Sequence, residues 1–327
     1  MTTSDTAEHL RAARKALEAW PLTVADVERV SVSENIAFRV TDARARSYVL
    51  RLHRPEYHNH AELVSEQTWT AALLASGVDV PVVVKAADGR GYVPVDVADE
   101  RRYAGLLEWV DGDTMAARIG AGRETDVPGC FSRLGGIMAT LHQQASRWTP
   151  PPDFTRHAFD ADGLMGEQPF WGRFWESPHL DGGQGRRLDA LRHRIHATLS
   201  DYRADSDVFS LIHADLHAAN VIVDGERLHV IDFDDAGFGW HAYDFAVALY
   251  HHQDDADYPE IRDALIEGYR QVRPVADDTV AMIPLFLLIR SLASIGWTAA
   301  RPELDRNADR TRWLMALVDR DAAKLVV

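Results

Sequence analysis

Two stretches of this 327-residue chain carry its most informative pattern: LIHADLHAAN at residues 211–220 and IDFDD at residues 231–235. The first stretch begins as a short apolar strand and continues as a polar loop with the spacing H-x-D-x-x-x-x-N. Between the two stretches, Asp224-Gly225 is a strong hairpin signal. The sequence therefore predicts a strand, a loop, a hairpin and a second loop that contains Asp232.

The residue types in these two loops are those that phosphoryl transfer needs. One carboxylate must accept or orient the proton of the attacking hydroxyl, and Asp215 suits this role. Mg²⁺ prefers hard oxygen ligands, which Asn220 and Asp232 supply. We expect the hairpin to bring Asn220 and Asp232 side by side, and His213 to hold the loop through hydrogen bonds. The pattern thus predicts Asp215 as the catalytic residue of a kinase-type reaction.

The first loop has two other interpretations. A metal centre formed by His213, Asp215 and His217 would be possible if the loop were helical, but no further histidine stands at a zinc-like spacing. The loop could also be a plain polar connection in which Asp and Asn cap turns. The combination of an apolar strand, a hairpin and Asp232 favours the catalytic interpretation.

Composition excludes several classes of protein. The chain has 35 Lys+Arg and 50 Asp+Glu, a net charge of −15, which disfavours binding to nucleic acid or to an anionic membrane. Cys130 is the single cysteine, so neither a disulfide framework nor a cysteine zinc site is expected. The polar N-terminus is unlike a signal peptide, and the most apolar run, residues 280–289, is too short to cross a bilayer. We expect a soluble cytoplasmic protein, with its oligomeric state undetermined.

The order of periodic segments predicts an α+β protein with two lobes. Residues 1–109 are expected to form a small antiparallel sheet with one inserted helix, and residues 110–327 a mostly helical lobe, with the break at Val110-Asp111-Gly112-Asp113. An amphipathic helix is predicted at residues 6–20. Residues 27–40, with a polar interruption at 31–35, and residues 47–52 are predicted to form a hairpin and a third strand. Further strands are predicted at 78–84, 91–97 and 103–109, and the inserted helix at 62–74. The runs 78–84 and 91–97 are predicted to pair as a hairpin across Asp88-Gly89. The predicted helices of the second lobe are 131–144, 188–202, 242–250, 261–272, 280–297 and 309–324.

The two catalytic stretches resemble those of a known family. HADLHAAN at residues 213–220 is similar to the HGDLHxxN block of the aminoglycoside phosphotransferase-like kinases, and IDFDDAGFG at residues 231–239 is similar to their IDFxxAxxG block. This family includes aminoglycoside phosphotransferases, choline kinase, type II homoserine kinase and a bacterial stress-response kinase. The resemblance covers almost the whole chain. It implies a bilobal, protein-kinase-like fold that holds ATP in a cleft and uses Mg²⁺.

The resemblance also implies residues that contact the nucleotide. Ser33 and Asn35 fall in the turn that covers the phosphates, and the backbone of Glu108 and Val110 falls in the hinge that would hydrogen-bond adenine. The turn contains no glycine, which makes a close backbone approach to phosphate less assured.

Three further residues take roles from the family. Arg51 stands on the third strand where protein kinases have lysine, and Glu66 falls where the family places its acidic partner. Arginine can neutralise phosphate and pair with Glu66, although its planar fork differs from a lysine point charge. The alternative for Arg51 is a solvated strand residue. Asp244 matches the aspartate that braces the catalytic loop, or else is a carboxylate that favours a helix start.

The acceptor site is expected beyond Asp215 in the second lobe. Candidate acceptor contacts are Trp175, Asp235, Arg290 and Trp297. Aromatic residues with arginine would suit an anionic group, and the acidic pair Asp234-Asp235 would suit an amine. Together they hint at a zwitterionic hydroxy compound, although aromatics at helical spacing are more often part of a core.

These features favour an ATP- and Mg²⁺-dependent kinase that phosphorylates a hydroxyl of a small molecule: an amino alcohol, a hydroxy amino acid or an aminoglycoside-like compound. One alternative is a Ser/Thr protein kinase of the stress-response type. The short segment between Asp232 and Asp244 has no visible activation loop, which favours the small-molecule acceptor. A second alternative is a nucleotide-binding pseudokinase. The missing glycine loop and Arg51 favour it, whereas the intact catalytic loop opposes it.

Overall fold

The computed structural model describes residues 3–32, 35–302 and 307–324. Ser33, a predicted nucleotide contact, lies outside the described residues. The strands are β1 Val24–Val32, β2 Ile36–Asp42, β3 Ser47–Leu52, β4 Val83–Val84, β5 Tyr92–Val97, β6 Glu100–Glu108, β7 Asp113–Thr114, β8 Ala158–Phe159, β9 Phe209–Ile212, β10 Val221–Asp224, β11 Arg227–Val230 and β12 Gly237–Trp240. The helices are α1 Thr3–Leu17, α2 His60–Ala75, α3 Met115–Gly120, α4 Val127–Arg147, α5 Ala161–Met165, α6 Gly182–Asp201, α7 His241–Leu249, α8 Tyr258–Arg270, α9 Asp277–Ala281, α10 Ile283–Ala299 and α11 Asn307–Ala322.

The chain divides into two compact units that are not continuous in sequence. The first consists of Met1–Thr114, Thr149–Arg156 and Val221–Asp234, and the second consists of Met115–Trp148, His157–Asn220 and Asp235–Val327. By compactness, the hairpin of β10 and β11 is therefore part of the first unit. The predicted lobes, 1–109 and 110–327, remain a prediction.

The first unit is built on an antiparallel sheet in the order β1-β2-β3-β6-β4, with β5 also paired to β6. Strand β2 alternates as a half-buried strand should: Phe38 and Val40 are fully buried and Arg39 is exposed. Helix α1 packs Ala12, Ala13, Ala16 and Leu17 into the same core. Helix α2 begins at a capping box in which Asn59 and Glu62 satisfy each other's backbone N–H groups.

The predicted hairpin between residues 78–84 and 91–97 is wrong. Only Val83–Val84 forms a strand in the first of these runs, and both β4 and β5 pair with β6. Pro81 has no N–H to donate to a ladder. The carbonyl of Asp79 instead accepts a hydrogen bond from the Val230 N–H at 3.0 Å. The apolar residues Val78 and Val80 are thus buried without strand pairing.

The second unit is mostly helical. Helices α4 and α8 approach closely at glycines: a Cβ on Gly135 would lie 2.0 Å from the Leu265 carbonyl oxygen, and one on Gly268 would lie 1.9 Å from that of Ser132. The predicted helix 280–297 is two helices, α9 and α10, because Pro284 fits the first turn of a helix but not its interior. A short sheet, β8-β12-β9, carries the strand that leads into the catalytic loop.

The predicted fold class is confirmed, with an antiparallel sheet in the N-terminal region and helices in the C-terminal region. In the described ranges, no helix combines the length and the apolar character needed to span a bilayer.

Candidate active site

Asp244, in the first turn of α7, lies against the catalytic loop in the second unit. Its carboxylate accepts hydrogen bonds from the backbone N–H groups of His213, at 3.1 Å, and Ala214, at 2.7 Å. Ala214 has a φ of 63°, a left-handed conformation that is costly for a residue with a Cβ. Such backbone strain persists only where the surroundings enforce it. The two hydrogen bonds that Asp244 accepts hold Ala214 in this conformation. They thereby fix the position of the backbone at the next residue, Asp215.

The buried surroundings of Asp244 hold this brace rigidly. Burial raises the pKa of Asp244 to about 6, against the lowering effect of His213 and of the two backbone N–H groups. His142 Nε2 lies 3.1 Å from Asp244 Oδ2. His213 is fully buried, and its Nδ1 accepts the backbone N–H of Asp215 at 3.3 Å. These contacts place His213 in a structural hydrogen-bond network.

The carboxylate of Asp215 is held at both oxygens. Oδ1 accepts a hydrogen bond from Arg290 Nη2 at 2.5 Å, and Oδ2 accepts one from Asn220 Nδ2 at 3.0 Å. His217 Nε2 lies 3.3 Å from Oδ2. Burial would raise the pKa of Asp215, but Arg290 and His217 outweigh it and hold the pKa well below its usual range. Asp215 is therefore an ionised hydrogen-bond acceptor at neutral pH.

Asn220 uses the nitrogen of its side-chain amide to hold Asp215. Nδ2 donates to the backbone carbonyl of Asp215 at 2.9 Å as well as to its carboxylate. The other end of the amide is a carbonyl oxygen, a ligand type that Mg²⁺ accepts. The orientation of Asn220 is thus compatible with holding both the catalytic residue and a cation.

Arg51 lies among three carboxylates in the first unit. Its guanidinium is 2.7 Å from Asp232 Oδ1, 3.5 Å from Asp234 Oδ1 and 3.7 Å from Glu66 Oε1. Burial would lower the pKa of Arg51, but these carboxylates raise it above its usual value. Arg51 is therefore a permanent cation, and the structure does not leave it solvated.

The same cluster combines a cationic hydrogen-bond donor for phosphate with carboxylate oxygens that could bind a metal ion. Asp232 has a φ of 66°, and its side chain is 47% exposed, whereas that of Arg51 is 11% exposed. Glu66 Oε2 is buried and has no hydrogen-bond partner in the described part of the chain. A fixed guanidinium, an accessible carboxylate and an unsatisfied buried oxygen together fit a polyanion with a bound cation.

Asp234 differs from its expected role. The pair Asp234-Asp235 is predicted to form an acidic loop that suits an amine, but the structure buries the Asp234 carboxylate in the first unit. Asn35 Nδ2 donates to it at 3.2 Å, and His53 Nδ1 lies 3.3 Å from it. His53 is not among the predicted site residues. Its position two residues after Arg51, on the same side of an extended strand, is the pattern that would have placed it beside Arg51.

Two of the remaining predicted nucleotide contacts, Asn35 and Glu108, have protein partners in the structure. Asn35 Oδ1 accepts the Arg54 N–H at 3.1 Å, so both ends of its amide are bonded within the first unit. The N–H of Glu108 donates to the Val82 carbonyl at 2.9 Å, and Val110 is half-buried. The roles of Asn35, Glu108 and Val110 toward a nucleotide stay predictions.

Of the four predicted acceptor contacts, Arg290 contacts Asp215 directly. The ring of Trp175 stacks 4.2 Å from the Arg192 guanidinium. That of Trp297 lies 4.1 Å from the Arg301 guanidinium. The backbone carbonyl of Asp235 accepts from His157 Nε2 at 3.1 Å. An acceptor role for Trp175, Trp297 or Asp235 stays a prediction. His217, which is not among the four, also lies beside the Asp215 carboxylate.

Comparison with known proteins identifies the family. A family model described as "Phosphotransferase enzyme family" matches residues 26–278. The solved structure of a microcompartment-associated aminopropanol kinase is 31% identical, with a TM-score of 0.84 over 96% of this chain and 98% of that one. Amicoumacin kinase hAmiN, solved with AMP-PNP, Ca²⁺ and Ami, is 21% identical, with a TM-score of 0.81 over 99% of this chain and 96% of that one. Amicoumacin kinase of Bacillus subtilis is 27% identical over 284 residues, which are 84% of this chain and 80% of that protein. These matches show that the chain belongs to the phosphotransferase enzyme family and is a kinase that transfers phosphate to a hydroxyl of a small molecule.

Proposed function

We propose that the enzyme transfers the γ-phosphate of ATP, with Mg²⁺, to a hydroxyl of an amino alcohol, a hydroxy amino acid or an aminoglycoside-like compound. The observation that carries the proposal is the ionised carboxylate of Asp215, which Asn220 and Arg290 fix in one orientation. The aminopropanol and amicoumacin kinases, which are similar to this chain along most of its length, support a small hydroxylated acceptor.

Asp215 would orient the acceptor hydroxyl toward the phosphate. Its low pKa makes it a weak base, so it would accept a hydrogen bond from the hydroxyl and take the proton only late in the transfer. Positioning and electrostatic stabilisation then supply most of the rate enhancement, as they do in other phosphoryl transfers.

Asn220 and Asp232 are the proposed metal ligands. The hairpin of β10 and β11 supports the pair. Val221 and Val230 are strand partners at its open end. Asn220 directly precedes the first of them, and Asp232 follows the second by two residues. Mg²⁺ would neutralise charge on the phosphates and shield it from the incoming oxygen.

Arg51 and Glu66 are the proposed phosphate-side residues, with Ser33, Asn35 and the hinge residues Glu108 and Val110 as further nucleotide contacts. The permanent charge of Arg51 supports its role. We further propose that residues 1–109 act as the nucleotide-covering lobe and residues 110–327 as the acceptor lobe. The use of ATP would place the reaction in the cytoplasm.

A small-molecule acceptor is favoured over a protein substrate by the chain that follows Asp232. Strand β12 begins at Gly237 and α7 begins at His241, so regular structure occupies the segment where protein kinases carry an activation loop. The intact set of Asp215, Asn220 and Asp232 favours an enzyme over a pseudokinase.

Release of ADP with a panel of amino alcohols, hydroxy amino acids, aminoglycosides and a generic protein substrate tests the proposal. Asp215→Asn should lower kcat by about 10²–10⁴-fold, the range for loss of a positioned acid–base group, while ATP affinity is kept. The exposed Asp224→Asn variant is the matched control and should be fully active. Phosphorylation of the protein substrate alone, or unchanged kcat in Asp215→Asn, would refute the proposal.

A further inference from the structure

Arg290 is an arginine in an otherwise uncharged helix. The sequence of α10, IPLFLLIRSLASIGWTA, has Arg290 as its one charged residue, and nearly all of its other side chains are buried. The Arg290 side chain is itself only 16% exposed. Placing a guanidinium in such surroundings is unfavourable unless specific partners compensate for the lost hydration.

The partners of Arg290 lie around the catalytic carboxylate. Nη2 donates to Asp215 Oδ1 at 2.5 Å, and Nη1 lies 3.4 Å from the hydroxyl oxygen of Tyr243. The ring of Trp171 lies 5.6 Å from the guanidinium carbon. Burial would lower the pKa of Arg290, but Tyr243, Asp215 and Asp235 raise it above its usual value. Arg290 is thus a permanent cation fixed beside the atom that must receive the acceptor hydroxyl.

This position constrains the chemistry of the acceptor. The hydroxyl has to reach hydrogen-bond distance of Asp215, so the groups on the neighbouring carbon lie within a few ångströms of Arg290. An ammonium group there would be repelled and a carboxylate attracted. A guanidinium has five N–H donors in a fork that matches a carboxylate, and the bonds to Asp215 and Tyr243 involve two of its nitrogens.

We propose that Arg290 is the residue that recognises the acceptor, and that the acceptor carries a carboxylate close to the hydroxyl that is phosphorylated. The carboxylate takes up Arg290 N–H donors other than those that bond Asp215 and Tyr243, so Arg290 continues to hold Asp215 in its orientation. This inference rests on the proposed function and narrows its acceptor to hydroxy acids, including hydroxy amino acids, over plain amino alcohols.

Matched acceptor pairs that differ only by a carboxylate test the inference. With ATP and Mg²⁺, the full-length enzyme is assayed on serine against ethanolamine, threonine against 1-amino-2-propanol, and homoserine against 3-amino-1-propanol. In the pair that fits the site, kcat/KM should be at least tenfold higher for the member with the carboxylate. Arg290→Met should remove this preference mainly through KM, and Arg290→Lys should restore part of it.

Two outcomes overturn the inference and leave the proposed function standing. One is a wild-type enzyme that prefers the carboxylate-free members. The other is an Arg290→Met enzyme in which both members of a pair lose the same factor, because Arg290 then only positions Asp215. If Arg290→Met does not fold, Arg290→Lys and Tyr243→Phe replace it in the same assay. In each of these variants, the ratio of kcat/KM for the carboxylate-bearing acceptor to that for its carboxylate-free partner must be lower than in the wild type. Absence of phosphorylation with every acceptor in both panels would instead refute the proposed function itself.

Discussion

Asp234→Asn is the substitution that most directly tests the buried charge cluster of the first unit. The Asp234 carboxylate interacts with Asn35 at 3.2 Å, His53 at 3.3 Å and Arg51 at 3.5 Å. Burial would raise its pKa, but His53 and Arg51 hold the pKa well below the usual range. The carboxylate is therefore ionised in the folded protein and supports the groups around it.

The expected loss of stability follows from these contacts. Asparagine has nearly the same shape, but it lacks the charge and turns one acceptor oxygen into an N–H donor. Breaking one partner of a buried ion pair costs about 3–5 kcal/mol, and the retained oxygen should reduce this to about 2–4 kcal/mol. That is a large share of the roughly 5–15 kcal/mol that stabilises a typical protein.

Urea unfolding followed by tryptophan fluorescence measures the effect. For an m-value of about 3 kcal/mol/M, the unfolding midpoint should fall by about 1 M at pH 7. Because the folded pKa of Asp234 is depressed, its contribution is present above the unfolded value of about 3.9 and is lost as the pH falls further. The gap between wild type and Asp234→Asn should therefore narrow in acid. Asp96→Asn, an exposed carboxylate on β5, is the matched control and should leave the midpoint unchanged. A midpoint for Asp234→Asn within about 0.2 M of the wild type, which is about 0.6 kcal/mol at this m-value, would refute the reasoning.

Three further substitutions test other parts of the structure. Arg51→Lys exchanges a fork among three carboxylates for a point charge and should raise the KM for ATP about tenfold; an unchanged KM would contradict its phosphate role. Gly112→Ala should lower the free energy of unfolding by about 2 kcal/mol or more. The reason is that Gly112 has a φ of +128° and that an added Cβ would lie 2.4 Å from the Val223 carbonyl oxygen. Gly120→Ala, with open space around the added Cβ, is the control and should leave the urea unfolding midpoint unchanged. His241 is buried against His142, and burial, His142 and Arg273 hold its pKa well below its usual value. The stabilising contribution of the neutral His241 side chain is present above about pH 6.5 and is lost as the pH falls below it. From pH 7 to pH 5, the urea midpoint of His241→Gln should therefore drop less than that of the wild type. An equal drop in the two proteins would rule out this role.

The chemistry of the catalytic loop could be predicted because it is encoded locally. Asp215 and Asn220 lie in one loop, and the register of β10 with β11 follows from the two-residue turn Gly225-Glu226, next to the predicted Asp224-Gly225 signal. The family followed from the same residues. Strands such as Ser47–Leu52 also agreed with their predicted bounds, because alternation over a short run is a local signal.

The pairing of strands and the burial of charges could not be predicted in the same way. Val78 and Val80 read as strand residues because they are buried, and only the contact of Asp79 with the β10–β11 hairpin shows why they form no ladder. Asp234 and Asp235 are adjacent and identical in the sequence, yet Asp234 is buried in the first unit and Asp235 belongs to the second.

A phosphoryl-transfer loop, a carboxylate to orient a hydroxyl and oxygen ligands for a cation are predictions that need only the amino-acid sequence, since they depend on residue types at short spacing. The tertiary structure decided which charges meet: Arg290 reaches Asp215 from a helix 75 residues later in the chain, and Asn35 reaches Asp234 across 199 residues. Such contacts arise from how helices and strands pack, and no local pattern records them. The acceptor preference that we infer depends on one of these contacts.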